Sequence, residues 1–147
     1  MIEITYKLEN AGWAIGKIGN GENYVEFDIS YLNDSLKELA DSAIELKKKK
    51  YKSVFFMTEP GEHRLVLNRN EENIIEYELH WYSDWFSWNL KSEEDYEVVL
   101  KGKTTLTNYV NQVRNILEEI MMEFGEIEYK RKWKEHEFPV VEYRQLK

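Results

Sequence analysis

Residues 2–8 set Ile2, Ile4, Tyr6 and Leu8 in alternation with Glu3, Thr5 and Lys7. A period of two is that of a strand with one wet face. After a turn at residues 10–12, residues 13–18 read as a second strand, and GNG at 19–21 is a hairpin signal because glycine and asparagine tolerate positive φ. A third strand follows, with Val25, Phe27 and Ile29 opposed to Tyr24, Glu26 and Asp28.

The period then changes. Leu32, Leu36, Leu39, Ala40, Ala43, Ile44 and Leu46 recur mostly at three and four, which predicts a first helix, and Ser35 and Glu38 stand at capping-box spacing near its start. SVFFM at 53–57 predicts a strand in mid-sheet, EPG at 59–61 a turn, and Leu65 and Leu67 the next strand. Residues 74–82 alternate again, with Ile75, Tyr77, Leu79 and Trp81 against Glu76, Glu78 and His80, and Tyr96, Val98 and Leu100 suggest one more strand. A second helix is marked by an apolar face from Leu106 to Phe124, with Thr105 or Thr107 as cap and Gly125 as stop. In the tail, Tyr129 and Trp133 are spaced as in a short helix, and VVEYR at 140–144 reads as an edge strand.

This order predicts a single α+β domain over residues 1–147, a two-layer sandwich in which two main helices cover one face of an antiparallel sheet of about six to seven strands. If the helices shelter the side holding Ile4, Phe27, Ile75, Leu79 and Val98, the other side displays Glu3, Glu26, Asp28, Glu76, Glu78 and Glu97. That face would be acidic.

Charge sharpens the expectation. The chain carries 20 Lys and Arg against 28 Asp and Glu, a net charge of -8, which disfavours nucleic acid and anionic lipid as partners. The positive charge collects in KKKKYK (47–52) and YKRKWK (129–134), the first suited to a helix end and the second a weak candidate for phosphate contact. There is no cysteine, so disulfides, thiol nucleophiles and thiolate metal sites are excluded. The opening residues lack the pattern of a secretion signal and no run is long and apolar enough to span a bilayer, so a cytoplasmic protein is expected.

Chemistry-bearing residues are sparse. Glu76, Glu78 and His80 point the same way along one strand, but residues two apart stand roughly 6.5 to 7 Å from each other, too far to share an ion without another strand. No metal site, cofactor motif, nucleophile elbow or phosphate-binding loop is expected. TEPGEHR brings Glu59, Glu62, His63 and Arg64 together as a turn with a local ion network, either structural or a binding loop. HWYSDWFSW at 80–88 holds three of the five tryptophans. Trp81 should complete the core, whereas Asp84, Trp85, Phe86 and Trp88 form a candidate contact surface, since tryptophan beside an acid is typical of protein hot spots and of sugar platforms.

Several stretches resemble small bacterial cytosolic proteins that look like immunity proteins of contact-dependent or polymorphic toxin systems. They are GWA at 12–14, SYLNDSL at 30–36, EPGEHR at 59–64, and a tail in which Gly125, Tyr129, Trp133, Phe138 and Pro139 keep a regular spacing. The resemblance implies an inhibitor that binds a toxin domain and carries out no reaction. A basic toxin would then be steered by Glu26, Asp28, Glu76 and Glu78 and anchored by Trp85, Phe86 and Trp88. A small-ligand or carbohydrate-binding domain, or a hydrolytic enzyme using Glu and His residues, are the alternatives.

Overall fold

The computed structural model describes residues 1–85 and 88–147. Seven strands and four helices are formed among them: β1 (Glu3–Leu8), β2 (Trp13–Gly19), β3 (Tyr24–Ser30), α1 (Ser35–Glu45), β4 (Tyr51–Met57), β5 (Glu62–Arg69), β6 (Ile74–Tyr82), β7 (Glu97–Thr105), α2 (Leu106–Glu123), α3 (Gly125–Trp133) and α4 (Val140–Leu146). The α+β class and the antiparallel pairing match the sequence pattern. The strands, however, do not share one sheet: β1-β2-β3 form a three-stranded sheet and β4-β5-β6-β7 a four-stranded one.

The first sheet is a meander whose alternation survives in full. Ile4, Tyr6, Leu8, Ala14, Ile18, Phe27 and Ile29 are buried on one side. Asn20 builds the β2–β3 hairpin, its Oδ1 accepting from the amides of Glu22 and Asn23 while Gly21 adopts a φ of 95°. The second sheet buries Val54, Phe56, Leu65, Leu67, Ile75, Tyr77, Leu79 and Leu100.

The two buried sides meet in one core. Phe27 packs edge-on to Phe56, with ring centroids 5.4 Å apart, and stacks on His63 at 4.2 Å. One end of β3 is tied past β4, where the Thr58 hydroxyl donates to the Asp28 carbonyl; at the other, the Asn20 amide donates to the Lys101 carbonyl of β7. β3 therefore runs across the inner side of the second sheet from one margin to the other.

Both main helices form where the three-and-four spacing predicts them and bury their stripes: Leu36, Leu39, Ala40 and Ala43 on α1, Tyr109, Val113, Ile116, Leu117 and Ile120 on α2. They are joined by a buried hydrogen bond of 2.6 Å between the hydroxyls of Ser42 and Tyr109. Each also seals a strand margin. Asn33, just before α1, donates to the Phe55 carbonyl, and Glu38 accepts from the Phe55 amide; on α2, Gln112 accepts from the Ile4 amide and Asn108 donates to the Ile2 carbonyl. Partnering these backbone groups matters because a buried amide or carbonyl left unpaired is costly.

Local expectations fare unevenly. Thr105 caps α2, accepting from the Asn108 amide at 3.0 Å. Asp34, not Ser35, caps α1 by accepting from Lys37 N, because Ser35 is bonded to the Tyr6 hydroxyl and Glu38 is engaged at β4. Gly125, at φ 74°, ends α2 but also starts α3. The VVEYR stretch is helical and not an edge strand. Tyr143 and Leu146 are the buried residues of α4, three apart, and a five-residue window is too short to separate that period from alternation.

In the lysine run after α1, Lys49 lies 3.3 Å from Glu45, Lys50 is paired to Glu71 and Lys52 to Glu45. In the second basic run Tyr129 and Trp133 are buried, Arg131 pairs with Glu128 at 2.6 Å and Lys130 with Glu137 at 3.3 Å.

Candidate functional site

A β-bulge decides which side chains reach the outward face of the second sheet. Leu79 pairs with Leu100 but His80 pairs with Val98, so Val99 is skipped and the alternation of β7 is reversed beyond it. Val98, expected in the core, is instead 43% exposed. Glu97, expected beside Glu76 and Glu78, pairs with Trp81 on the other side.

The expected continuous acidic face is therefore divided. Glu26 and Asp28 are exposed on β3, opposite in direction to Phe27 and so directed away from the second sheet. Glu76 and Glu78 lie on the outward face of β6, opposite Lys103 and Lys101 of β7. Glu76 approaches Lys103 at 3.4 Å. Two sheets with buried sides toward one another necessarily turn their wet faces apart, which a pattern read strand by strand does not reveal.

On the same outward face stand Glu62, Arg64, His80 and Tyr82, brought side by side by the pairs Arg64–His80 and Glu62–Tyr82. Glu62, His80 and Tyr82 are buried despite facing outward, because the chain between β6 and β7 folds back over them. The Tyr82 hydroxyl donates to the Glu93 carbonyl at 2.7 Å, and Arg64 Nη1 lies 3.3 Å from Glu93 Oε1. Arg64 Nη2 also donates to the Tyr51 hydroxyl at 2.8 Å, and its guanidinium lies 5.3 Å from the centre of the Phe55 ring. Tyr96 stacks flat on His80, with ring centroids 3.8 Å apart and planes 4° from parallel, while His80 Nε2 is 2.8 Å from Glu78 Oε1. The result is a concavity of about 540 Å³ whose walls include Tyr51, Arg64, His80, Glu93, Glu94 and Tyr96.

The EPGEHR motif splits across the sheet. Glu62 and Arg64 serve the outward cluster, whereas His63 turns inward between Phe27 and Trp81, with centroids 4.2 and 4.8 Å away, and burial lowers its pKa to about 4. Glu59 is exposed in the turn before β5. Gly61 has a φ of 100°, and a side chain there would run into the Trp81 ring. Burial also raises the pKa of Glu38 and of Tyr82.

The aromatic stretch divides in the same manner. Trp81 packs over Gly61 and His63. Trp85 is half-buried, its indole N–H donating to the Thr58 carbonyl at 2.6 Å and its amide to Asp84 Oδ1 at 2.8 Å. Trp88 leans edge-on against Trp85 at 4.6 Å and is 50% exposed. Leu90 and Tyr96 follow at 56% and 42% exposure. Phe86, grouped with them from sequence, lies outside the described residues. Tyr51, Glu93 and Tyr96 were not singled out as site residues by sequence reasoning, and His80 was weighed only together with Glu76 and Glu78.

A larger concavity, of about 1010 Å³, lies elsewhere, between α3, α4 and the start of α1. Within it Lys37 lies 3.3 Å from Glu142, Lys130 3.3 Å from Glu137, and His136 3.7 Å from Asp34. Among the described residues no group of three or more His, Cys, Asp or Glu is placed to hold a metal ion, and no helix is long and apolar enough to cross a membrane.

Comparison of the chain with protein-family models, curated proteins and solved structures gave no match.

Proposed function

We propose that this chain is a non-enzymatic, cytoplasmic protein-binding module of the immunity type, which neutralises a basic toxin domain by contact. The observation that carries the reading is the company kept by the chain from Asp84 to Val98. Trp88, Leu90, Tyr96 and Val98 are all more than 40% exposed, and Asp84, Glu93, Glu94, Asp95 and Glu97 are interspersed with them. Apolar side chains held in water and flanked by carboxylates suit a partner that supplies both apolar cover and positive charge.

The surface has a firm base. Glu93 is tied to Arg64 and Tyr82, Trp85 to Thr58, and Tyr96 to His80, so ordering this segment on binding costs less than for a free loop. The net charge of -8 and Glu76 and Glu78 on the adjoining strand favour fast association with a cationic partner. Glu26 and Asp28, on the other sheet, contribute to the long-range field and not to this contact. The reading takes the body as a layered one, with α1 and α2 sheltering one side, and their seals on β4 and β1 support that arrangement.

The test is affinity capture on the immobilised chain from its native cell, run in parallel with Trp88→Ala. The expected result is a saturable partner with a basic domain, held by the parent chain and lost by the variant while the melting temperature stays unchanged. A partner held equally by both, or no saturable partner, would overturn the assignment.

A further inference from the structure

We infer that the concavity between Tyr51, Tyr96 and Glu94 seats a cationic side chain, an arginine above all, presented by the protein partner. The inference rests on the protein-binding reading above and specifies what that partner brings.

The site presents the carboxylate of Glu94 and the rings of Tyr51 and Tyr96 to a visitor. Among the described residues Arg64 is the one cation in its wall, and its guanidinium is engaged by Glu93, Tyr51 and the Phe55 ring. Against it stand Glu93 and Glu94 in the wall and Glu78 on the imidazole of His80. Carboxylates outnumber the guanidinium, so an anion is disfavoured there and a cation favoured.

A second observation, independent of the charge count, concerns His80. It is 4% exposed and forms part of the wall, and its Nδ1 has no hydrogen-bond partner among the described residues. Because a carboxylate only accepts, the bond to Glu78 places a proton on Nε2, and in the neutral imidazole Nδ1 is then an acceptor. A buried acceptor without a donor is a cost. A guanidinium passing the edge of Tyr96 supplies the missing N–H.

Geometry favours arginine over other donors. The phenol rings of Tyr51 and Tyr96 are both half-exposed, and a planar guanidinium lies on such rings while its edge donates to carboxylates. Within this chain Arg64 already adopts that arrangement, with Phe55 as the ring and Glu93 as the acid.

The experiment titrates the intact chain with N-acetyl-argininamide, followed by two-dimensional ¹H–¹⁵N NMR, with the uncharged citrulline analogue as control. Shifts are expected at Tyr51, His80, Glu93 and Tyr96, with none from citrulline. Tyr96→Ala and Glu94→Gln are each expected to weaken binding about fivefold or more, and the same spectra report whether each variant is folded. Equal shifts from citrulline, shifts confined to other surfaces, or no shifts at all overturn the inference. A captured partner held normally by Tyr96→Ala and Glu94→Gln but lost by Trp88→Ala would sink the cation seat and leave the protein-binding reading standing. If all three variants hold it normally, both fall.

Discussion

The imidazole of His63 stacks on the ring of Phe27, centroids 4.2 Å apart, so a titratable group of the second sheet is packed against the core of the first. Burial lowers its pKa to about 4, whereas in the unfolded chain it titrates near 6.5. Between those values the unfolded state binds the proton and the folded state does not. The contribution of His63 is therefore complete above about pH 6.5 and lost as pH falls to about 4, a change on the order of 3 kcal/mol. Glu38, with its pKa raised by burial, acts in the opposite sense in an overlapping window, its contribution being lost as pH rises. The clean measurement is thus a difference: urea midpoints of the parent and His63→Phe at pH 7, 5 and 4. The parent should lose ground on the variant as the solution is acidified, and parallel curves would show that His63 does not carry the effect.

Trp85 and Trp88 touch, yet their replacement should have different consequences. Trp85→Ala removes a half-buried indole and its bond to Thr58, and should lower folding stability by about 2 kcal/mol. Trp88→Ala should leave the melting temperature unchanged and weaken partner binding by about 2 kcal/mol or more. Thermal melts and calorimetric titration of the captured partner separate the two; a collapse of the Trp88→Ala melt would return that residue to the core.

Gly61 is bound by two constraints at once, a φ of 100° and the Trp81 ring against its Cα. Gly61→Ala should cost about 2 kcal/mol or more in chemical denaturation. An unchanged midpoint would mean that the turn before β5 moves away from Trp81 without penalty.

The steering idea has its own control, because the acids lie on two sheets. Reversing Glu76 and Glu78 to lysine should slow association with the partner and flatten its dependence on salt. Reversing Glu26 and Asp28, an equal change of charge on the other sheet, should slow it less. Stopped-flow rates at two ionic strengths decide the matter, and equal effects from the two pairs would assign steering to net charge alone.

What could be read in advance was whatever depends on near neighbours along the chain. The alternation of Ile2 through Leu8 marks β1, and the stripe from Leu106 to Phe124 marks α2, because each element buries one side of itself. The division into two sheets depends on α1 intervening between β3 and β4, and no residue in β3 announces that it will not pair with β4. The outward turn of Val98 depends on one skipped residue opposite His80. The concavity was harder still, since it unites Tyr51, set in a lysine run, with Arg64, His80 and an acidic loop. Only folding of that loop over the strand face brings Tyr96 onto His80.

The margins of both sheets bear on how this protein meets other molecules. Backbone groups on β1, β3, β4 and β7 are taken up by Gln112 and Asn108, by Thr58, by Asn33 and Glu38, and by Asn20 respectively. At those points an incoming polypeptide finds no free amide or carbonyl to extend the ladder. Strand addition is hindered there, and at these points a visiting chain is recognised by its side chains rather than enrolled as another strand.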